Sequence, residues 1–143
     1  MDEFMQAALD EALKGMQEGG VPIGSVLVVD GNIVGRGHNR QRQMDSIIRH
    51  AEIDCIDDAS HLTPAEFQRA VLYTTLSPCD MCSGAILFLR IPRVVIADNQ
   101  NILGAEDYLT ERGVELVVLN DPECIRILSE FDRLHPGAWN KGE

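Results

Sequence analysis

The sequence predicts an α/β fold, with a mixed sheet carrying helices on both faces. Three observations lead there. A helical segment opens the chain, a hairpin follows, and helix–strand repeats fill the remainder. Asp30-Gly31 is a hairpin turn signal, so the first two strands are antiparallel. The later strands are separated by helical stretches, need crossovers, and are expected to run parallel. The 143 residues suit one domain over 1–143, and no repeat, low-complexity tract or linker divides them.

Residues 2–18 read as a helix, because Phe4, Met5, Ala8, Leu9, Ala12, Leu13 and Met16 build one apolar stripe. Gly19-Gly20 stops it and Val21-Pro22 turns the chain. Ile23 to Val29 is β-rich, and Asn32 to Gly37 is the return strand. Helical character resumes near His50 and runs to about Ala59. Thr63-Pro64-Ala65-Glu66 combines an N-cap, a Pro at the first helical position and a capping-box acid, which marks a short helical turn. Val71 to Thr75 is a strand. The Cys79 segment opens a helix that ends near Arg90, before Pro92. A strand over Val94 to Ala97, a helix over Ala105 to Arg112 and a strand over Val114 to Leu119 follow. Asp121-Pro122 starts a last helix to about Leu134, and the tail from His135 has no periodicity.

Apolar residues make up 45% of the chain and charged residues 24%, the balance of a soluble globular protein. No apolar run reaches the ~18–20 residues of a membrane span. Met1-Asp2-Glu3 is acidic and opens an amphipathic segment, so a secretory signal is not expected. The net charge is −11, from 23 acids against 12 Lys and Arg. Such a surface repels a phosphate backbone and no basic cluster offsets it, so a nucleic-acid partner is disfavoured and a small neutral substrate fits better. There are four cysteines. Without a secretory signal, a C-x-x-C pair points to metal or redox chemistry rather than to a disulfide. Cys55 and Cys124 sit in apolar helical patterns and read as small buried hydrophobes.

The chemistry concentrates in His50-Ala51-Glu52 and Pro78-Cys79-Asp80-Met81-Cys82. His50, Cys79 and Cys82 supply three zinc ligands. A structural zinc site closes with four protein ligands, while a catalytic one leaves a position for water. The Cys79 and Cys82 spacing places both sulfurs at a first helical turn, whose free N–H groups favour thiolates. Water at the open position of such a zinc site becomes a nucleophile near neutral pH. Glu52 is then free to move protons as general base and acid. His50 and Glu52 are two residues apart, so on a regular helix they would diverge, and convergence requires placement at the first turn. The competing readings are a structural zinc site completed by Cys55 or His38 and a thioredoxin-like redox pair. The redox pair leaves His50 and Glu52 unexplained. Asn39 follows a strand in a Gly-rich loop. Its amide suits an N–H/C=O edge of a ligand, and a plain turn-former reading fits equally well.

H-x-E followed by P-C-x-x-C is the signature of the zinc nucleobase deaminases. The chain resembles the cytidine deaminase superfamily, and most closely the fungal-type cytosine deaminases. The matching stretches run from Gly19 to Gly24, Gly35 to Asn39, His50 to Ile53 and Leu72 to Cys82. Gly84-Ala85-Ile86, Ile91-Pro92-Arg93 and Pro136 to Trp139 also match, so the likeness covers nearly the whole chain. Ser77 leans toward cytosine deaminases, since members acting on tRNA adenosine typically carry Glu there.

The resemblance implies a three-layer α/β/α sandwich around a five-stranded mixed sheet. It implies a cytoplasmic homodimer of pyrimidine salvage, with one Zn2+ per subunit held by His50, Cys79 and Cys82. It further implies that Glu52 shuttles protons and that Asn39 and the Ala51 N–H bind the pyrimidine edge. The Ser77 carbonyl would receive the leaving amine. Trp139 would close over the ring, or simply anchor the C-terminus. Ile23 would line the pocket, or belong to the core. Two departures stand out. Ile102 occupies the position of an aromatic lid, and Gly142 stands where the family has an Asp, for which Glu143 is the nearest stand-in. The reaction expected is hydrolytic deamination of free cytosine to uracil. The alternatives are another small aminated heterocycle (isocytosine, a pterin, guanine, creatinine), tRNA adenosine, or a non-catalytic zinc-stabilised dimer module.

Overall fold

The computed structural model describes residues 1–142. The elements follow the order expected from the sequence. Helix α1 spans Glu3–Gln17, and strands β1 (Gly24–Val29) and β2 (Asn32–His38) form the hairpin. Then come α2 (Gln41–Met44), α3 (Ala51–Asp58), α4 (Pro64–Phe67) and β3 (Ala70–Thr74). They are followed by α5 (Asp80–Leu89), β4 (Arg93–Ile96), α6 (Glu106–Glu111), β5 (Glu115–Val118) and α7 (Pro122–Leu134). Boundaries differ from the sequence reading by a residue or so, within the usual fraying. The short α2 is an addition. Four residues cannot display a hydrophobic period, so no sequence pattern announced it.

Local chemistry accounts for the element ends. Asp2 caps α1 by accepting from the N–H groups of Phe4 and Met5. Asp30 and Gly31 both take positive φ, 51° and 80°, as a tight two-residue hairpin turn requires. Thr63 and Glu66 form the expected reciprocal capping box. Asp121 caps α7 through the Cys124 N–H, with Pro122 at its start.

The sheet order is β2-β1-β3-β4-β5. β1 pairs antiparallel with β2 and β3, while β3, β4 and β5 run parallel. Side chains alternate between the two faces, which divides the core. Val26, Val28, Tyr73 and Val95 pack with Met5, Ala8 and Ala12 of α1 and with Cys124 and Ile127 of α7. Leu27, Val29, Leu72, Val94 and Ile96 pack on the opposite face with Cys55, Ala59, Ile86 and Leu109 of α3, α5 and α6. The result is the expected α/β/α sandwich around a five-stranded mixed sheet. Cys55 and Cys124 are buried free thiols, as read.

Strand directions decide where the site lies. The carboxyl ends of β2, β3 and β4 and the amino end of β1 all meet one edge of the sheet. Ligands of open α/β sheets bind outside the carboxyl ends of the parallel strands. A close approach holds the catalytic helix there: a Cβ on Gly37 would come within 2.3 Å of the Cys55 nitrogen, so β2 lies directly against α3. Among the described residues no helix is long and apolar enough to cross a membrane.

Candidate active site

Two helix starts face each other at that edge. His50 is the N-cap of α3, with extended φ/ψ of −70° and 161°, so it is not itself helical. Ala51 and Glu52 occupy the first turn. This resolves the divergence expected of positions two apart, and both His50 and Glu52 line one cavity. Cys79 is likewise the N-cap of α5, and Cys82 sits one turn in.

The His50 Nδ1 atom lies 3.5 Å from the Cys79 sulfur and 3.5 Å from the Cys82 sulfur. A tetrahedral zinc at ordinary Zn–N and Zn–S lengths separates such donors by about 3.6 Å, so the three atoms already stand at coordination spacing. Among the described residues these three alone form a group of His, Cys, Asp or Glu ligand atoms, all within 4.8 Å of one another. His38 is no fourth ligand. Its buried ring is held between Glu11 at 3.0 Å and Glu18 at 2.8 Å. Nor does Cys55, buried in the core between α3 and the sheet, join the group. The donor set suits one zinc ion, and a tetrahedral ion held by these three would have one position left for water.

Electrostatics agree with this assignment. Hydrogen bonds from Cys82 and His50 hold the Cys79 thiol down at about 4, so it is a thiolate at neutral pH. The proton it shares and burial push the Cys82 thiol up. Burial pulls the His50 imidazole down, but the hydrogen bond with Cys79 and the Glu52 charge outweigh it and the net shift is upward. Burial raises Glu52 to about 7, offset in part by His50. A carboxyl that titrates near neutrality can both take and release a proton.

The cavity is lined by every residue read from the sequence as a site candidate except Cys82, whose sulfur lies within 4.8 Å of the His50 and Cys79 atoms that could bind a metal. Asn39 makes the turn expected of it and also lines the cavity. Its Oδ1 accepts from the Gln41 N–H at 3.1 Å, a turn-forming bond, while the residue also faces the cavity. Ile23 likewise does both, lining the cavity and packing with Val21, Ala51, Leu76, Leu128 and Phe131. Trp139 packs on that same cluster. The Ser77 hydroxyl turns toward α6, donating to Glu106 at 2.6 Å and accepting from the Gly104 N–H at 2.9 Å. Ile102 rides on a loop fixed by the buried Asp98, which accepts from the N–H groups of Gln100 and Asn101 and from the Asn101 side chain.

Two wall residues escaped the sequence reading. Leu76 lies one residue past the expected strand and carried no signal of its own. Lys141 lies in a tail with no periodic signal, and only the neighbouring Trp139 pointed there. Gly142 is near the mouth but carries no side chain into the cavity, and Glu143 lies outside the described residues.

Residues 1–98 match the family model of the cytidine and deoxycytidylate deaminase zinc-binding region. The chain belongs to that family. It is 45% identical over 138 residues to a cytosine deaminase of Candida albicans, covering 96% of this chain and 92% of that one. It is 46% identical over 140 residues to a tRNA-specific adenosine deaminase of Streptococcus pyogenes, covering 91% of this chain and 88% of that one. A solved structure from a study of A-to-I editing by tRNA:A34 deaminases superposes with a TM-score of 0.74 at 33% identity, over 87% of this chain and 98% of that chain. This deaminase is therefore a zinc-binding hydrolase of the family, and similarity alone does not separate a free base from a tRNA adenosine as its substrate.

Proposed function

We propose that the chain deaminates a free nucleobase hydrolytically, converting cytosine and water to uracil and ammonia. The observation that carries this reading is the closure of the cavity. Trp139, Ile102 and Leu76 wall a narrow cavity beside Glu52, which suits a small planar ring better than a polynucleotide. The net charge of −11 and the Candida relative support a small neutral substrate over a polynucleotide.

His50, Cys79 and Cys82 hold the zinc, which supplies a Lewis acid that makes water nucleophilic at neutral pH. Glu52 takes one proton from the attacking water and delivers it to ring N3, then takes the second from the hydroxyl formed at C4 and delivers it to the amine, which leaves as ammonia. Ala51 lies in the first turn of α3, where backbone N–H groups lack helical partners, and offers its N–H to the ring. Asn39 adds its side-chain amide at the same edge, and the Ser77 carbonyl accepts from the departing amine. Ile23, Leu76 and Trp139 sandwich the ring and exclude bulk water. A homodimer belongs to this reading, since Ile47, Ile48 and Leu103 are exposed apolar residues beside the mouth of the site. Sedimentation at micromolar concentration tests it, and a monomer would remove it.

The deciding experiment is ammonia release by zinc-loaded protein from cytosine, cytidine, isocytosine, guanine, adenine and a pterin, with Glu52→Ala as control. Turnover of cytosine but not cytidine is expected. Activity on another base alone would transfer the proposal to that base. A second reading, adenosine in tRNA, is favoured by the Streptococcus relative. An adenosine-bearing anticodon stem–loop belongs in the panel, and turnover of it alone would replace the cytosine reading.

A further inference from the structure

We infer that Asp132 is a positioning residue for the pocket, holding Trp139 and Lys141 of the tail against it with one carboxylate. Helix α7 ends at Leu134, and Gly137, with φ of 72°, turns the chain back toward the cavity. No regular structure follows, so the tail has no backbone ladder to fix it. It is tied by side chains instead. Asp132 Oδ1 accepts from the Trp139 indole N–H at 2.9 Å. Its Oδ2 accepts from the Lys141 ammonium at 2.9 Å. The two donors also meet each other, with the Lys141 nitrogen 5.5 Å from the centre of the indole ring. Both residues line the cavity that contains Glu52 and Asn39.

The rest of α7 underlines the contrast. Arg126 pairs with Glu123, and Arg133 with Glu130, on exposed faces within single helical turns. Those pairs touch nothing in the site. Asp132 instead reaches seven and nine residues along the chain to two different wall side chains. The remaining ties are weaker in kind. Gln41 and Arg42 of α2 donate to the main-chain carbonyls of Asn140 and Ala138, each at 3.2 Å, and do not orient the side chains. Asp132 thus decides which way the indole and the ammonium face. A carboxylate is suited to this because it accepts on both oxygens at once and carries the charge that opposes Lys141.

This inference rests on reading the cavity as the substrate pocket, but part of its test does not. Trp139 is the only tryptophan in the chain, so tryptophan emission reports the latch directly in ligand-free protein. In Asp132→Ala the acrylamide quenching constant of Trp139 should rise about twofold or more, as expected of a chain end no longer tied down. KM for the turned-over base should rise about tenfold with kcat nearly unchanged, the signature of lost uniform binding. Asp132→Asn keeps an acceptor for the indole but lacks the charge for Lys141. It should match Lys141→Gln, with a smaller rise in both readouts. Asp132→Glu should recover part of the loss. Should Asp132→Ala fail to fold, the match between Asp132→Asn and Lys141→Gln carries the same test. Quenching equal to the parent's would overturn the latch. Raised quenching with unchanged KM would overturn the positioning role. If no base is turned over, the proposed function falls, and the quenching comparison by itself upholds or overturns the latch.

Discussion

His50, Glu52, Cys79 and Cys82 come from the first turns of two helices, whereas Ile23, Asn39, Ile102, Trp139 and Lys141 come from strand ends, a loop and the tail. The first set is fixed by short stretches of backbone that must run as they do once the helices form. The second is fixed by long-range ties: Asn101 of the Ile102 loop to Ile125 and Ser129, Gln41 and Arg42 to the tail, and the packing of Trp139 on Val21, Leu128 and Phe131. On the proposed function, the metal half would carry the reaction and the other half would select its substrate. Relatives named for cytosine and for tRNA adenosine, at nearly equal identity, fit that division.

The largest effect expected is that of metal removal. Chelation should reduce ammonia release to background and zinc should restore it, since binding to such a site also supports the fold. Cys79→Ala should lose both zinc, measured by elemental analysis, and several degrees of melting temperature. Turnover by metal-free protein would break the assignment of this half.

Glu52→Gln comes next. Losing a general acid–base group should lower kcat by about 10²–10⁴. Zinc content should hold. The melting temperature should hold or rise slightly, because burial disfavours the charged carboxylate and a neutral amide avoids that cost. A fall of several degrees with lost zinc would mean a structural carboxylate instead.

The two halves were unequally legible in the sequence, for the same physical reason. His-x-Glu and Cys-x-x-Cys are local, so spacing alone revealed them, and cap geometry at His50 supplied what periodicity could not. The sheet was legible too, because the β-rich run from Ile23 to Val29 and the Asp30-Gly31 turn are local signals. Lys141 and Asp132 were not, since their meeting depends on a turn at Gly137 in a stretch without any period. The α2 turn was missed because a four-residue element leaves no pattern.

Asn39 joins the halves, and its variants sharpen the comparison. Asn39→Ala should lower kcat/KM by at least tenfold, roughly 1.4 kcal/mol, with zinc retained. It should also cost about 1 kcal/mol of stability, because the Gln41 N–H loses its acceptor. Asn39→Asp keeps that acceptor but not the amide donor. It should restore the melting temperature and leave the kinetic defect. Kinetics equal to the parent's in both variants would remove Asn39 from the site. Ile102→Phe should act more weakly, lowering KM for cytosine a few-fold if an aromatic surface adds the ~0.5–1.5 kcal/mol typical of ring–ring contact. A shift in base preference instead would mean that Ile102 itself sets the pocket's shape.

The smallest effect lies behind Asn39. Each ring nitrogen of the buried His38 meets a carboxylate, Glu11 at 3.0 Å and Glu18 at 2.8 Å. The bond from His38 holds Glu18 below its ordinary value of 4.5, with help from Gln43 and Arg40. A carboxylate depressed in the folded state stabilises in full above its unfolded value, and that share is lost as pH falls through the folded one. Glu18→Gln should therefore lower the melting temperature at pH 7 by an amount matching the ~0.2–1 kcal/mol of a partly exposed pair. At pH well below that lowered value the parent's Glu18 is protonated, and the two proteins should melt together. Melting curves across that range read the difference, and a gap that stayed constant with pH would mean that Glu18 supports β2 by packing rather than by charge.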